Sequence, residues 1–196
     1  MTVWCTSDWH FGHRNILTLG SGRPFSSIEE HDEALIDRYN AVVRDDDLVW
    51  VLGDVAMGNI DQSLAKCARM NGMRNLVCGN HDRPAMTTDT AKRHRWTRRY
   101  INEGGFAAVL VLDERRPSMD IHIRGCCFAA SHYPYQGDST GTERYTDRRP
   151  VDDGRWLLHG HVHDTWRVQG RQINVGVDVW DFAPVSASQI LSIAVA

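Results

Sequence analysis

The chain has 196 residues, 42% of them hydrophobic and 24% charged, with a formal net charge of −3. That size and balance predict one folded unit, residues 1–196 as a single domain, and exclude a disordered or fibrous chain. No apolar run reaches the about 18 residues that span a bilayer, and the first residues lack the basic flank and apolar stretch of a secretion signal. Five cysteines without a C-x-x-C pair suggest neither a disulfide framework nor a thiolate zinc site, so a cytoplasmic protein off the membrane is expected. Net charge does not call for nucleic acid, which stays possible as a partner, and nothing in the sequence fixes the oligomeric state.

The opening TVWCTS is a short β-favouring run that stops at polar residues, and the same form returns at DLVWVLGD and MRNLVCGNHD. Between the first two runs, SSIEEHDEALIDRYNAVVR predicts a helix with Leu35, Tyr39, Val42 and Val43 on one face. Ser26 with Glu29, or Ser27 with Glu30, would make its capping box. NIDQSLAKCARMNG predicts a shorter helix, with Asn59 as N-cap and Gly72 as the stop. A third helix is expected around residues 85–100, where much of the basic charge lies. The pattern then turns to strands in FAAVLVLDE, MDIHIRG and CCFAASHYP, with a turn at DERRPS because Pro117 cannot sit inside a paired strand. Residues 136–155 form a long polar loop, and loops of that length are usually functional or disordered. WLLHGHVH and TWRVQGRQINVGVD close the chain, with a hairpin turn at Gln169 and Gly170. Strands alternating with helices in the first half predict an α/β layer fold.

In open α/β sheets ligands gather at the carboxyl ends of the strands, so the residues that end each apolar run should converge. Those residues are Asp8 and His10, Asp54, Asn80 with His81 and Asp82, His132, and His161 with His163. Each is a metal-ligand or acid/base type. In LHGHVHD the imidazoles of His161 and His163, two residues apart, leave extended backbone on the same side.

The ordered set D-W-H, G-D-V, G-N-H-D, S-H and G-H-V-H resembles the calcineurin-like metallophosphoesterase superfamily, and in particular its compact bacterial and phage phosphodiesterases. The resemblance implies a four-layer α/β/β/α sandwich with a dinuclear metal site at the carboxyl ends of the strands. Motif by motif, it implies one ion held by Asp8, His10 and His163, another by Asn80, His132 and His161, and Asp54 bridging them. His81 would be the catalytic imidazole with Asp82 orienting it, and His159 matches no ligand position. His13 and Arg14, in DWHFGHRN, and Arg144 and Arg148, in the long loop, are candidate substrate contacts.

Two divalent ions that share a water make it acidic enough to attack as hydroxide, and they clamp the attacking and leaving oxygens of an in-line displacement. Imidazole, carboxylate and amide donors suit manganese first, with iron or zinc as alternatives. The expected activity is a metal-dependent phosphodiesterase acting on small or nucleotide-like phosphodiesters. The alternatives are a phosphomonoesterase, including a protein phosphatase, and a nuclease. A non-catalytic scaffold is disfavoured because no ligand position is lost.

Overall fold

A computed structural model describes residues 1–195. Strand β1 (Val3–Thr6) pairs in parallel with β2 (Leu48–Val51), β2 with β3 (Met73–Val77) and β3 with β4 (Ala108–Leu110). β5 (Met119–Ile123) and β6 (Cys126–Ala130) form an antiparallel pair. β6 continues in parallel to β7 (Leu157–His159) and β7 to β9 (Gln172–Asn174), while β8 (Val168–Gln169) closes a hairpin on β9. β10 (Val185–Ser186) returns antiparallel to β1. The result is two mixed sheets of five strands, ordered β10-β1-β2-β3-β4 and β5-β6-β7-β9-β8. Flanking helices complete the α/β/β/α layering that the resemblance implied.

Period-two alternation puts the strands of the first sheet into two cores. Val49, Val51, Leu76 and Cys78 face the helix side, where Leu35, Tyr39, Leu64 and Tyr100 meet them. Leu52, Val77 and Cys5 face the second sheet and pack with Ile121, Phe128, Leu158 and Ile173. Each such apolar side chain, removed from water, contributes roughly 1.5–3 kcal/mol. The strands are therefore fixed on both faces, and their carboxyl ends are held still.

Helix α1 (Ile28–Asn40) starts at Ser27, whose side chain accepts the Glu30 N–H at 3.1 Å. The Glu30 carboxylate reaches back one residue further than a capping box requires and takes the Ser26 N–H at 2.8 Å. Leu35, Tyr39 and Val43 are buried as their spacing predicts, but the helix stops before Val42, which is exposed. α2 (Ile60–Cys67) is capped by Asn59 and ends five residues before Gly72. The third helix, α3 (Thr90–Asn102), begins later than expected because Asp89, which accepts the Lys92 N–H at 2.9 Å, is its N-cap. β4 keeps only three of the nine residues of FAAVLVLDE, and the final hairpin turns at Gly170 and Arg171, one residue later than expected. α4 (Ala187–Ala194) opens with a complete capping box between Ser186 and Gln189 and buries Ile190 in the core between the sheets. Among the described residues, no helix is long and apolar enough to cross a membrane.

Candidate metal centre

Main-chain pairing continues past the strands of the first sheet: Asp8 donates to Gly53, His10 to Asp54 and Phe11 to Val55, at 2.9, 2.9 and 3.0 Å. Within these loops the backbone turns sharply. Asp8, His10, Asp54, His161 and His163 all have positive φ, between 49° and 72°. Left-handed backbone costs an L-residue roughly 1–2 kcal/mol, and Asp, Asn and His tolerate it best. Five proposed ligands in that region mean that the fold holds these corners against their local preference, and such strain collects at functional sites. Two glycines are needed for the close approach. A Cβ on Gly79 would overlap the Asp54 carboxylate, and one on Gly160 would overlap Ser7 and Asp8.

The corners bring two compact donor groups together: Asp8, His10 and His163, and Asp8, Asp54 and His132, with the donor atoms of each group within 4.8 Å of one another. His10 Nε2 lies 3.8 Å from Asp8 Oδ1 and 3.9 Å from Asp54 Oδ2, and His132 Nε2 lies 3.4 Å from the same Asp54 oxygen. Asp54 Oδ2 thus stands between the two histidines, while Asp8 is shared by both groups. Asn80 joins the second group through its Oδ1, 3.0 Å from His132 Nε2. His161 lies outside both groups, with its ring 5.2 Å from that of His132 and its Nε2 turned to Asp138, which leaves Nδ1 as its donor toward an ion.

These residues fit a pair of divalent ions on a structural ground. Asp8 Oδ1 and His10 Nε2 are buried without a hydrogen-bond partner, a costly state that a cation between them would relieve. The far side of each histidine is also fixed, as metal ligation requires. His132 Nδ1 faces the Leu52 carbonyl at 2.8 Å, His161 Nε2 the Asp138 carboxylate at 3.2 Å, His163 Nδ1 the Asp178 carboxylate at 3.5 Å, and His10 Nδ1 the Met57 sulfur at 3.2 Å. Burial raises the pKa of the Asp54 carboxyl, but the neighbouring His132 and His10 outweigh it and hold Asp54 well below the usual range. Burial also raises Asp8, but the nearby imidazole of His10, with the charges of His163 and His132, outweighs burial and holds it below the usual range. His10 is pushed down to about 4 by burial, whereas the charge of Asp54 overcomes burial at His132 and lifts it to about 9. Two ionised carboxylates at 1% exposure or less need compensating charge, which a pair of divalent ions would supply.

Asp82 does not orient the His81 ring, contrary to what the resemblance implied: its Oδ2 accepts the N–H groups of Asp54 and Gly79, both at 2.8 Å, and its Oδ1 that of Val55 at 3.1 Å. The turn after β3 folds this carboxylate back onto its own Gly79 and across to the end of β2, so it ties two ligand-bearing loops together. Burial, with the charge of Asp54 second, raises its pKa to about 7 against those three bonds. His81 donates its backbone N–H to Asp54 Oδ1 at 2.8 Å and leaves its half-buried ring at the rim, 5.6 Å from that of His10 and 6.4 Å from that of His13.

A cavity of about 170 Å³ opens beside this rim, bounded by His13, His81, His163, Ile16, Thr140 and Arg144. Arg144 reaches it, but its guanidinium is engaged by Asp138 and Ser139. Arg148 stands at the other end of the centre, 5.8 Å over the Tyr145 ring. The fold does not bring Arg14 to the centre; it is exposed and pairs with Glu29 at 3.6 Å at the start of α1. His159 is fully buried against Trp166, with its ring 4.7 Å away.

Sequence reasoning missed Arg23, Asp138 and Asp178. Asp178 follows the end of β9, where the rule that strand ends carry ligands could have found it. Asp138 sits inside the polar loop with no signal to separate it from the loop's other acids. Arg23 is 4% exposed, a rare fate for arginine, and only its partners reveal why.

An α/β/β/α sandwich that gathers buried carboxylate, imidazole and amide donors at its strand ends defines a metal-dependent hydrolase with a dinuclear ligand cluster. Residues 1–165 match the calcineurin-like phosphoesterase model, and the chain belongs to that family of metallophosphoesterases. It is 32% identical over 189 residues to the gene 66 protein of Mycobacterium phage L5, an alignment covering 91% of this chain and 87% of the relative. With the gene 66 protein of Mycobacterium phage D29 it shares 33% identity over 194 residues, covering 93% and 92%. Among solved structures, a protein of unknown function from Aquifex aeolicus superposes with a TM-score of 0.70 at 26% identity, over 98% of both chains.

Proposed function

We propose that this chain is a phosphodiesterase that hydrolyses small or nucleotide-like phosphodiesters. The observation that carries the reading is the presence of a cavity at each end of the ligand cluster. One adjoins His10 and His163. The other, of about 260 Å³, adjoins Gly79, Tyr133 and Arg148, and a small recess lined by His132 shares several of its walls. A phosphodiester carries two ester arms, and an in-line displacement places them on either side of the phosphorus. A phosphomonoester has one arm and an extra charge, and the one arginine lining the first cavity is already committed to Asp138.

Asp8, His10, Asp54, Asn80, His132, His161 and His163 would hold the ions, which would supply Lewis-acid stabilisation of phosphoryl charge and activation of the attacking water. His81 then orients a phosphoryl oxygen and hands a proton to the departing ester oxygen, and His13 forms the wall behind it. The mixed imidazole, carboxylate and amide set favours manganese, with iron or zinc as the alternatives. Five free cysteines, two of them exposed, suit the reducing cytoplasm, where we place the activity. The test compares hydrolysis of bis-p-nitrophenyl phosphate with p-nitrophenyl phosphate, with chelator and added manganese as controls. Preference for the bis-ester supports the reading, and preference for the mono-ester replaces it with the phosphomonoesterase alternative.

A further inference from the structure

Helix α3 carries a charge pattern that neither the core nor the metal centre uses. From Lys92 to Arg99, five of eight residues are Lys or Arg, and the helix contains no Asp or Glu. The helical repeat sorts them. Arg93, Trp96 and Tyr100 turn inward, with Tyr100 buried and Trp96 packed on the core. Lys92, Arg95 and Arg98 fall three residues apart on the outer face, and all three are exposed.

Nearby acids are otherwise engaged. Arg99 is taken by Asp61 and Glu103, and Asp89 accepts the backbone N–H of Lys92 as the helix cap. Among the described residues, Lys92, Arg93, Arg95 and Arg98 form no ion pair with any carboxylate. Like charges at i, i+3 and i+4 repel one another, so this face weakens α3 rather than supporting it. The net charge of −3 gives the chain no overall attraction for polyanions, so any attraction is local to basic faces such as this one.

Basic side chains also lie between α3 and the metal centre. Arg83, two residues after His81, holds its guanidinium 5.9 Å from the centre of the Trp96 ring. The cavity of about 260 Å³ runs from Gly79 and Tyr133 to Arg93 and Arg148, with Asp113 and Glu114 also on its wall. Arg93 Nε is buried there without a partner.

We propose that α3 is a docking surface for a nucleic-acid strand, whose phosphates pair with Lys92, Arg95 and Arg98 while a phosphodiester of the same strand reaches the metal centre. The hydrolytic half rests on the phosphodiesterase reading above; the docking half does not. Trp96 packs on the core and its ring is already approached by two guanidinium groups, of Arg83 and Arg99, so base stacking plays no part. Recognition is of the backbone, independent of sequence and strongly salt-dependent.

The test measures fluorescence anisotropy of the manganese-loaded protein with a labelled phosphorothioate single strand of about 20 nucleotides across a salt series. Three phosphate contacts predict a slope of log affinity on log salt of about −2. The triple variant Lys92→Glu, Arg95→Glu, Arg98→Glu should bind about tenfold or more weakly with a flattened slope. It should keep its melting temperature and its rate on bis-p-nitrophenyl phosphate. Should the reversal disturb folding, the corresponding triple Gln variant gives the same comparison with a milder change. Equal binding by wild type and variant, or binding that ignores salt, overturns the proposal. So does α3-dependent binding to phosphatidylserine vesicles without binding to the oligonucleotide. If α3-dependent oligonucleotide binding appears while bis-ester hydrolysis does not, the docking surface stands and the phosphodiesterase reading falls.

Discussion

Arg23 holds Asp178 through both carboxylate oxygens, Nε to Oδ1 at 2.8 Å and Nη2 to Oδ2 at 2.9 Å, and the same carboxylate faces His163 Nδ1 at 3.5 Å. The guanidinium also donates to the carbonyls of Asp8 and Trp9, at 2.7 and 3.1 Å. One buried arginine therefore braces ligands from opposite ends of the chain. Behind it the network continues through His31 and Asp32 to Lys66 at the surface.

Asp178→Asn should keep the shape of this bracket while removing the charge that orients His163. Loss of such a supporting partner costs 10- to 100-fold in metal affinity, roughly. Manganese titration by calorimetry should show one of two sites weakened and the other little changed. Equal weakening of both would mean that Asp178 acts on the whole fold.

Arg23→Ala should be worse, because it strands Asp178 in the interior. Breaking a buried ion pair on one side costs about 3–5 kcal/mol. Urea denaturation should read that loss, and Arg23→Lys should recover only part of it, since an ammonium cannot reproduce the fork.

His81→Ala should retain its ions and its melting temperature and lose about 10²- to 10⁴-fold in turnover, the usual contribution of a positioned proton donor. Asp54→Ala should lose ions and turnover together. Metal analysis of the two purified variants separates the roles, and matching metal loss would contradict the assignment of His81 outside the ligand set.

Asp82→Ala leaves the N–H groups of Asp54, Val55 and Gly79 unpaired, and each such loss costs about 1–3 kcal/mol. The melting temperature should fall in chelator as well as with metal. A residue acting only through the His81 ring would leave the chelated protein unchanged.

Asp47 supplies a pH test remote from the centre. Its carboxylate accepts from the Trp4 indole at 3.0 Å, the Arg44 N–H at 3.1 Å and the Thr2 N–H. Burial raises its pKa, and these bonds outweigh burial and hold it below its ordinary value. A depressed folded pKa contributes stability that is complete above the unfolded value of about 3.9 and disappears as pH falls through the folded value. Urea unfolding of wild type and Asp47→Asn should therefore differ by a constant amount from neutral pH to about pH 5 and converge in stronger acid.

Local order along the chain settled a good deal of this molecule. Apolar runs gave the strands, Ser26 or Ser27 bounded the start of α1 and Asn59 marked that of α2, and the polar residues at the run ends gave the ligand-bearing loops, because each depends on near neighbours and backbone geometry. The basic charge around residues 85–100 was legible along the chain, but which of those residues face outward was settled only by the packing of Trp96 and Tyr100. Only the folded chain decided that Asp82 faces three backbone N–H groups rather than His81 and that Arg14 points away from the centre. The same holds for Arg23, Asp138 and Asp178 behind the ligands, with Arg23 lying 155 residues from Asp178. Burial and long-range hydrogen bonding choose among otherwise equivalent acids and arginines, and both come into existence only when distant segments pack.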